Sequence, residues 1–264
     1  MASNILANVN QPRYEDITET TGVPVSPEGA SMLYTRYALA ASLSRGRRVI
    51  ELGCAAGQGL GLLERVAARV VAADYSPVLL RSGQRHYGSR IPFVRLTAEA
   101  LPFRDHSFDV ALMFEASYYV PDMGRAFDEM VRILAPGGTV LFVNANPERP
   151  DFIASPHSVH YHTADEFRRE LVRRGLTVTV EGAYQVMAAS PLTRWARRAL
   201  SALGLVPKTL RGRARIKRLL YRSLPSVPAE LPEHFAEIAS RTALQPGPAP
   251  GYKVIYVTGT CASG

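Results

Sequence analysis

The sequence lacks several features that would place it in a particular class of protein. Its 264 residues include only two cysteines, Cys54 and Cys261, which are too few for a disulfide framework or a cysteine-rich metal site. No run of about 18 uncharged apolar residues is present, so we expect no transmembrane helix. The N-terminus also lacks the basic and then apolar segments of a signal peptide. With an apolar fraction of 47%, the sequence predicts a globular protein of the cytoplasm.

Acidic residues are missing from one long stretch. No Asp or Glu occurs between Glu181 and Glu230, whereas ten Lys and Arg residues lie within 194–222. This block accounts for the whole formal net charge of +8. Basic blocks of this kind bind phosphate groups, anionic membrane surfaces or nucleic acid. We expect a helical cap whose basic residues face water, contact the substrate or touch an anionic membrane peripherally.

The most informative stretch is a glycine-rich turn between an apolar strand and an apolar-periodic helix. Gly53, Gly57 and Gly59 follow the order G-x-x-x-G-x-G, which differs from the G-x-G-x-x-G of dinucleotide-binding proteins. Glu51 stands two positions before the first glycine. A carboxylate there would repel a pyrophosphate and attract an ammonium group. We therefore infer that the ligand is S-adenosylmethionine, which carries an amino-acid ammonium and no phosphate.

The segment Glu51 to Gly59 resembles motif I of the class I S-adenosylmethionine-dependent methyltransferases. Two later segments, 96–103 and 107–110, are similar to the ubiquinone/menaquinone C-methyltransferase-like (methyltransferase type 11) group. The resemblance covers roughly 47–186. It implies an α/β, Rossmann-like, doubly wound sheet of seven mostly parallel strands. An antiparallel last strand and a helical insertion before it complete the expected fold.

Four regions are predicted along the chain. An N-terminal arm and cofactor-covering helix occupy 1–46, and Ser26 followed by Pro27 predicts where this helix begins. The methyltransferase core follows at 47–186. The basic helical insertion takes up 187–250, and the last core strand and tail take up 251–264. Tyr34 and Arg36 of the first helix are candidates for the methionine carboxylate, or else a packing tyrosine and a surface arginine.

Further cofactor-binding residues follow the second and third strands. Asp74 lies 17 residues after Gly57, close to the separation that places a carboxylate on the two ribose hydroxyls. Its alternative role as a helix cap suits Ser76 better. Related enzymes usually carry an aspartate where Thr97 stands. Either Glu99 takes over its adenine contact, or the Thr97 hydroxyl and the Ala98 backbone N–H contact the adenine alone, and we expect Ala98 and Glu99 to do so. The complete predicted cofactor set is Glu51, Gly53, Cys54, Ala55, Gly57, Gln58, Asp74, Tyr75, Thr97, Ala98, Glu99 and Glu115.

Catalytic candidates follow the fourth strand and lie in a later polar loop. Glu115 and Tyr118 come at the carboxyl end of that strand, where ligands bind in open parallel sheets. No Asn-Pro-Pro-Tyr type sequence occurs there, which argues against methylation of a nucleobase or a glutamine amide. His157 and His160 are either surface or substrate-positioning histidines, or one of them is a general base for an oxygen nucleophile. We predict no metal site.

The absence of the amino-methylating tetrapeptide and the cationic cap favour methyl transfer to an oxygen of a small molecule, sugar, lipid-linked saccharide or secondary metabolite. Methylation of a carbon in a quinone-like ring is the nearest alternative. A non-catalytic module that binds S-adenosylmethionine or acts as a scaffold is also consistent with these residues. A nicotinamide-dependent dehydrogenase fits less well, because the glycine order differs and a carboxylate precedes the turn. Nucleic acid is not the expected partner, and peripheral membrane contact is expected only through 194–222.

Overall fold

The computed structural model describes residues 21–186 and 225–263. These residues contain one sheet of eight strands and five α-helices. The helices are α1 (Pro27–Leu43), α2 (Leu60–Glu64), α3 (Pro77–Tyr87), α4 (Met123–Arg132) and α5 (Ala164–Arg173). The strands are β1 (Arg48–Leu52), β2 (Arg69–Asp74), β3 (Phe93–Arg95), β4 (Phe108–Phe114), β5 (Leu134–Ala145), β6 (Thr177–Gln185), β7 (Thr242–Ala243) and β8 (Tyr252–Thr260).

The strand order is β3-β2-β1-β4-β5-β8-β6-β7. The first five of these strands pair in parallel, while β8 runs antiparallel between β5 and β6. Strands β1, β2 and β4 are almost continuous apolar runs, as expected where helices cover both faces of a parallel sheet. The predicted doubly wound sheet with an antiparallel last strand is confirmed.

Two details differ from the sequence prediction. An eighth strand, β7, adds two residues to the edge of β6 and is too short to produce a periodic signal. The helix after the glycine-rich turn ends at Glu64, although apolar residues continue to Ala67. It ends there because the chain turns back to enter β2, where the N–H of Ala68 donates to the carbonyl of Arg47 at 2.9 Å.

Helix α1 begins where the sequence predicts. The Ser26 side chain accepts a hydrogen bond from the N–H of Gly29 at 3.1 Å, and Pro27 occupies the first helical position. The helix buries Leu33 and Tyr37 against the core cluster that also contains residues of β1 and β4. One face of α1 therefore lies over the carboxyl ends of the central strands.

The chain that returns from the predicted insertion packs directly on the core. Val227 and Leu231 are buried, and the N–H of Leu231 donates to the carbonyl of Gln58 at 2.7 Å. Glu230 forms ion pairs with Arg90 at 3.1 Å and His86 at 3.0 Å. The segment 225–231 thus runs beside the glycine-rich turn. The basic block at 194–222 lies outside the described residues, so its predicted cap and membrane contact stay predictions, as do the region boundaries.

No helix among the described residues is long and apolar enough to cross a membrane.

Candidate active site

A cavity of about 870 Å³ opens at the carboxyl ends of the central parallel strands. Its walls come from β1, β4 and the residues that follow them, with α1 on one side. The strand order reverses between β1 and β4, which is the position where open α/β sheets bind ligands. The volume lies toward the upper end of the about 300–1,000 Å³ typical of small-molecule sites. The cavity can therefore hold more than one small ligand.

The glycine-rich turn forms one wall of the cavity, and its first residue has a backbone conformation that requires glycine. Gly53 has a φ of +74°, in the left-handed region, and a Cβ atom there would stand 2.5 Å from the Cβ of Ala116. The N–H groups of Gly53 and Cys54 both donate to the carbonyl of Ala73, at 2.8 and 3.0 Å. These bonds hold the turn against the end of β2 and keep its backbone exposed to the cavity.

Glu51 is a buried carboxylate on the cavity wall, with 1% of its surface exposed. Its Oε1 accepts a hydrogen bond from the Tyr37 hydroxyl at 2.7 Å, whereas its Oε2 accepts none from any described residue. Burial raises the pKa of Glu51 to about 7, against the lowering effects of Tyr37 and Arg36. An unpaired buried carboxylate oxygen is costly unless a cationic or donor group meets it.

Asp74 is held in one orientation by two backbone N–H groups. Its Oδ2 accepts from Ala55 at 2.8 Å and its Oδ1 accepts from Ser76 at 2.7 Å. The cap of α3 is Ser76, as the sequence predicts, because its side chain accepts from the N–H of Leu79. Each Asp74 oxygen has a second lone pair, so the carboxylate can accept from two adjacent hydroxyls as well. Tyr75 lies beside it and also lines the cavity.

The predicted adenine-binding residues Thr97, Ala98 and Glu99 all line the cavity. The Thr97 hydroxyl donates to Glu99 Oε2, and the other oxygen of Glu99 accepts from the N–H of Asp122 at 2.9 Å. The Glu99 carboxylate therefore links the end of β3 to the start of α4. This arrangement favours the backbone of Ala98 as the group that contacts an adenine edge.

Three other residues of the turn have different positions. Cys54 and Gln58 line the cavity, whereas Gly57 is not among the lining residues. The carbonyl of Gly57 accepts from the Tyr87 hydroxyl at 2.7 Å, which fixes the turn from behind. Burial raises the pKa of the Cys54 thiol, and both Cys54 and Cys261 are free thiols.

Glu115 and Tyr118 form a hydrogen-bonded pair beyond the end of β4. Glu115 has a φ of +49°, uncommon for a non-glycine residue, and its N–H donates to the carbonyl of Val143 at 2.8 Å. The Tyr118 hydroxyl donates to Glu115 Oε2 at 3.0 Å. The ring of Tyr118 stacks on Tyr161 with centroids 4.1 Å apart. Burial raises the pKa of Tyr118, so this hydroxyl stays protonated and acts as a donor.

The histidines of the 146–162 loop separate into different environments. His157 lines the cavity and has a φ of +68°. His160 pairs with Glu166 at 3.4 Å and is not among the lining residues. His162 packs against Phe127 and burial lowers its pKa. Within the described ranges, no group of three His, Cys, Asp or Glu side chains is arranged to hold a metal ion.

Several lining residues lie outside the set predicted from the sequence. Tyr37 is buried on α1, and its hydroxyl donates to Glu51. Tyr34, a candidate for the methionine carboxylate, instead accepts from the N–H of His234 at 2.7 Å, while Arg36 does line the cavity. Further lining residues come from distant parts of the chain, namely Arg149, Val227 and Lys253. No local sequence motif marks these three residues. They come together because β5 pairs with β8 and because the segment 225–231 packs beside the glycine-rich turn.

Comparison with known proteins finds a family that matches part of this chain. The family described as "Methyltransferase domain" matches residues 50–142. One relative, from Mycobacterium ulcerans, is named as a probable phthiotriol/phenolphthiotriol dimycocerosates methyltransferase 2. It is 40% identical over 118 residues, which are 44% of this chain and 45% of that protein. A demethylmenaquinone methyltransferase from Clavibacter sepedonicus is 35% identical over 98 residues, 36% of this chain and 40% of that protein. The chain thus spans less than half the length of these curated relatives.

Solved structures share the fold. An S-adenosylmethionine-dependent methyltransferase from Thermotoga maritima superimposes with a TM-score of 0.55 at 17% identity, covering 87% of this chain and 89% of the other. At that identity the similarity concerns the fold, while the match over residues 50–142 concerns the sequence. Residues 50–142 thus match a methyltransferase domain, the chain has the fold of class I S-adenosylmethionine-dependent methyltransferases, and this domain implies S-adenosylmethionine as the cofactor.

Proposed function

We propose that the chain transfers a methyl group from S-adenosylmethionine to an oxygen atom of a small, largely apolar acceptor. The observation that carries the proposal is Glu51, a buried carboxylate on the cavity wall with one oxygen that no described residue meets. The ammonium of the cofactor would neutralise this carboxylate. A pyrophosphate in the same place would be repelled, which opposes a nicotinamide cofactor.

The remaining cofactor contacts follow from the same wall. Asp74 would accept from the ribose hydroxyls, because the N–H groups of Ala55 and Ser76 orient its carboxylate on the cavity wall. Ala98 would contact the adenine edge, with Tyr75 beside the adenosine. Arg36 lines the cavity on the α1 side and would meet the methionine carboxylate. When bound, S-adenosylmethionine supplies a methyl group that its sulfonium has already activated.

The residues of the chain then have to align the acceptor, exclude water and accept one proton. Tyr118 holds Glu115 in place through its hydroxyl, at the edge of the cavity where β4 ends. As the acceptor oxygen forms its bond to the methyl carbon, its hydroxyl proton has to leave. His157 is the candidate base because it lines the cavity, and Glu115 is the alternative. His160 would act only if the loop rearranged, since it pairs with Glu166.

The nature of the acceptor is supported by aliphatic residues in the cavity wall. Met32, Leu33, Val227 and Val254 give the cavity an aliphatic surface beside the proposed cofactor residues. The mycobacterial relatives are named for phthiotriol and phenolphthiotriol dimycocerosates, and the alcohol in these names is consistent with an oxygen nucleophile on an apolar body. A carbon atom of a quinone-like ring is the second candidate, favoured by the name of the Clavibacter relative.

The test is transfer of an isotope-labelled methyl group from S-adenosylmethionine into lipid and small-molecule fractions. We expect label in an extractable apolar product, and loss of that label with Asp74→Ala. Asp128→Ala is the matched control, because Asp128 is an exposed carboxylate paired only with Arg174 among the described residues. Label found only in tRNA or DNA would overturn the proposed acceptor. Binding of S-adenosylhomocysteine without transfer to any fraction would indicate a non-catalytic module.

A further inference from the structure

Two basic side chains line the cavity at the end farthest from Asp74. Lys253 is the second residue of β8, and Arg149 follows the carboxyl end of β5. The two positions are adjacent because β5 and β8 pair antiparallel, with Ala145 opposite Val254. The N–H of Asn146 also donates to the carbonyl of Lys253 at 2.9 Å. Strand pairing thus places two cations at one end of the cavity.

Each cation is more buried than its carboxylate partner. Lys253 is 23% exposed, while Glu28, which accepts from it at 2.8 Å, is 52% exposed. Arg149 is likewise 23% exposed, and Asp151, whose Oδ1 lies 3.7 Å away, is 45% exposed. Neither carboxylate is among the residues that line the cavity, whereas both cations are. The carboxylates therefore meet the cations from the solvent side.

Arg149 has unused hydrogen-bonding capacity. Its Nε is buried and donates to no described residue, and at 3.7 Å the Asp151 oxygen is too distant for a hydrogen bond. A guanidinium group matches the geometry of carboxylate and phosphate groups, and a bond to either is charge-assisted. A buried donor without a partner is a position that an acceptor group of a ligand can fill.

The separation of these cations from the cofactor residues leaves room for an acceptor molecule. Glu51 lies near the end of β1 and Lys253 near the start of β8, three strands away, which corresponds to about 14 Å at the usual strand spacing. The same separation appears along α1, where Glu28 and Arg36 are eight residues or about 12 Å apart. The aliphatic side chains of Met32 and Leu33 lie between those two positions on the helix.

We propose that Arg149 and Lys253 form a subsite for an anionic group, a carboxylate or a phosphate, carried by the methyl acceptor. This inference rests on the proposed function, because the cofactor has to occupy the Glu51 and Asp74 side of the cavity. The acceptor is then an amphiphile. Its apolar body lies against the aliphatic wall, its anionic group binds Arg149 and Lys253, and its nucleophilic atom reaches the Glu115 end. Glu28 turns toward water as the anion binds.

Calorimetry with matched eight-carbon probes tests the subsite on protein saturated with S-adenosylhomocysteine. The probes are octanoate, octyl phosphate, 1-octanol and inorganic phosphate. We expect one of the two anionic amphiphiles to bind about tenfold or more tightly than 1-octanol, since a charge-assisted hydrogen bond is added. Arg149→Gln and Lys253→Gln should each reduce this preference. Arg104→Gln, the control at an exposed arginine outside the cavity, should leave it unchanged.

A further variant separates ligand binding from a purely structural role of the ion pairs. Glu28→Gln removes the competing carboxylate and should tighten binding of the anionic amphiphile. Equal binding of 1-octanol and the anions, absence of binding by all probes, or a preference that survives both substitutions would overturn the subsite. Inorganic phosphate binding as tightly as octyl phosphate would overturn its role in holding an amphiphilic acceptor. Failure of S-adenosylhomocysteine to bind would instead refute the proposed function.

Discussion

The raised pKa of Glu51 predicts that the cofactor-free protein becomes less stable as the pH rises. Burial lifts this pKa from an ordinary value of 4.5 to about 7. Between these two values the folded state binds more protons than the unfolded state, so the free energy of unfolding falls with increasing pH. The stabilisation is fully present below about pH 4.5 and is lost as the pH rises through about 7.

The magnitude follows from the two pKa values. At about 1.4 kcal/mol per pKa unit, the complete loss amounts to about 3 kcal/mol. Between pH 5.5 and pH 8 the Glu51 contribution falls by about 2 kcal/mol. Glu51→Gln keeps the shape of the side chain and an oxygen for the Tyr37 hydroxyl, but it cannot ionise. Without cofactor, the variant should therefore lose about 2 kcal/mol less than the natural protein over this range.

Urea unfolding at pH 5.5 and pH 8, followed by circular dichroism, measures this difference. Glu237→Gln is the control, because Glu237 is exposed, and it should show the same pH dependence as the natural protein. Added S-adenosylhomocysteine should stabilise the natural protein most at pH 8, where Glu51 is ionised and meets the ammonium, and should stabilise Glu51→Gln much less. Identical pH dependence in Glu51→Gln and the natural protein would refute the reasoning.

Three other substitutions test separate parts of the site. Gly53→Ala should lower the free energy of unfolding by about 2–4 kcal/mol, because the backbone at this position is left-handed and the added Cβ would clash with Ala116. Thermal or urea unfolding measures this loss. Adding Ala116→Gly should recover only the share of the loss that comes from the clash. Tyr37→Phe removes the hydroxyl that donates to Glu51, so the pKa of Glu51 should rise further. The pH midpoint for S-adenosylhomocysteine binding should then move upward, and an unchanged midpoint in calorimetry would contradict the Tyr37 contact. Tyr118→Phe should lower the rate of labelled-methyl transfer by roughly ten- to hundredfold while leaving S-adenosylhomocysteine affinity unchanged; equal losses in both would indicate a structural role instead.

The fold was largely predictable because its signals are local. Apolar strands alternate with amphipathic helices, and Ser26 and Pro27 mark the start of α1. Glu51 and Asp74 could be proposed as cofactor residues because each lies at or near the end of a strand beside the glycine-rich turn. The two-residue strand β7 gave no such signal, since two residues carry no periodicity.

The remaining site residues depend on contacts between distant segments. Tyr37 looks like an ordinary core residue in the sequence, and only the packing of α1 over β1 shows that it donates to Glu51. Lys253 reaches the cavity because β8 inserts beside β5, more than 100 residues away in sequence. Glu99 stays a predicted adenine contact, and only the fold shows that its carboxylate also accepts from the N–H of Asp122. Pairings of this kind are set by tertiary structure and leave no pattern in the sequence.

The central claim is that the Glu51 carboxylate binds the ammonium of the cofactor. The most direct measurement compares, by calorimetry at pH 8, S-adenosylhomocysteine with methylthioadenosine, which lacks the amino-acid group. We predict that the natural protein prefers S-adenosylhomocysteine by about tenfold or more, and that Glu51→Gln loses most of this preference. Absence of binding by either ligand, or an undiminished preference in Glu51→Gln, would contradict the claim.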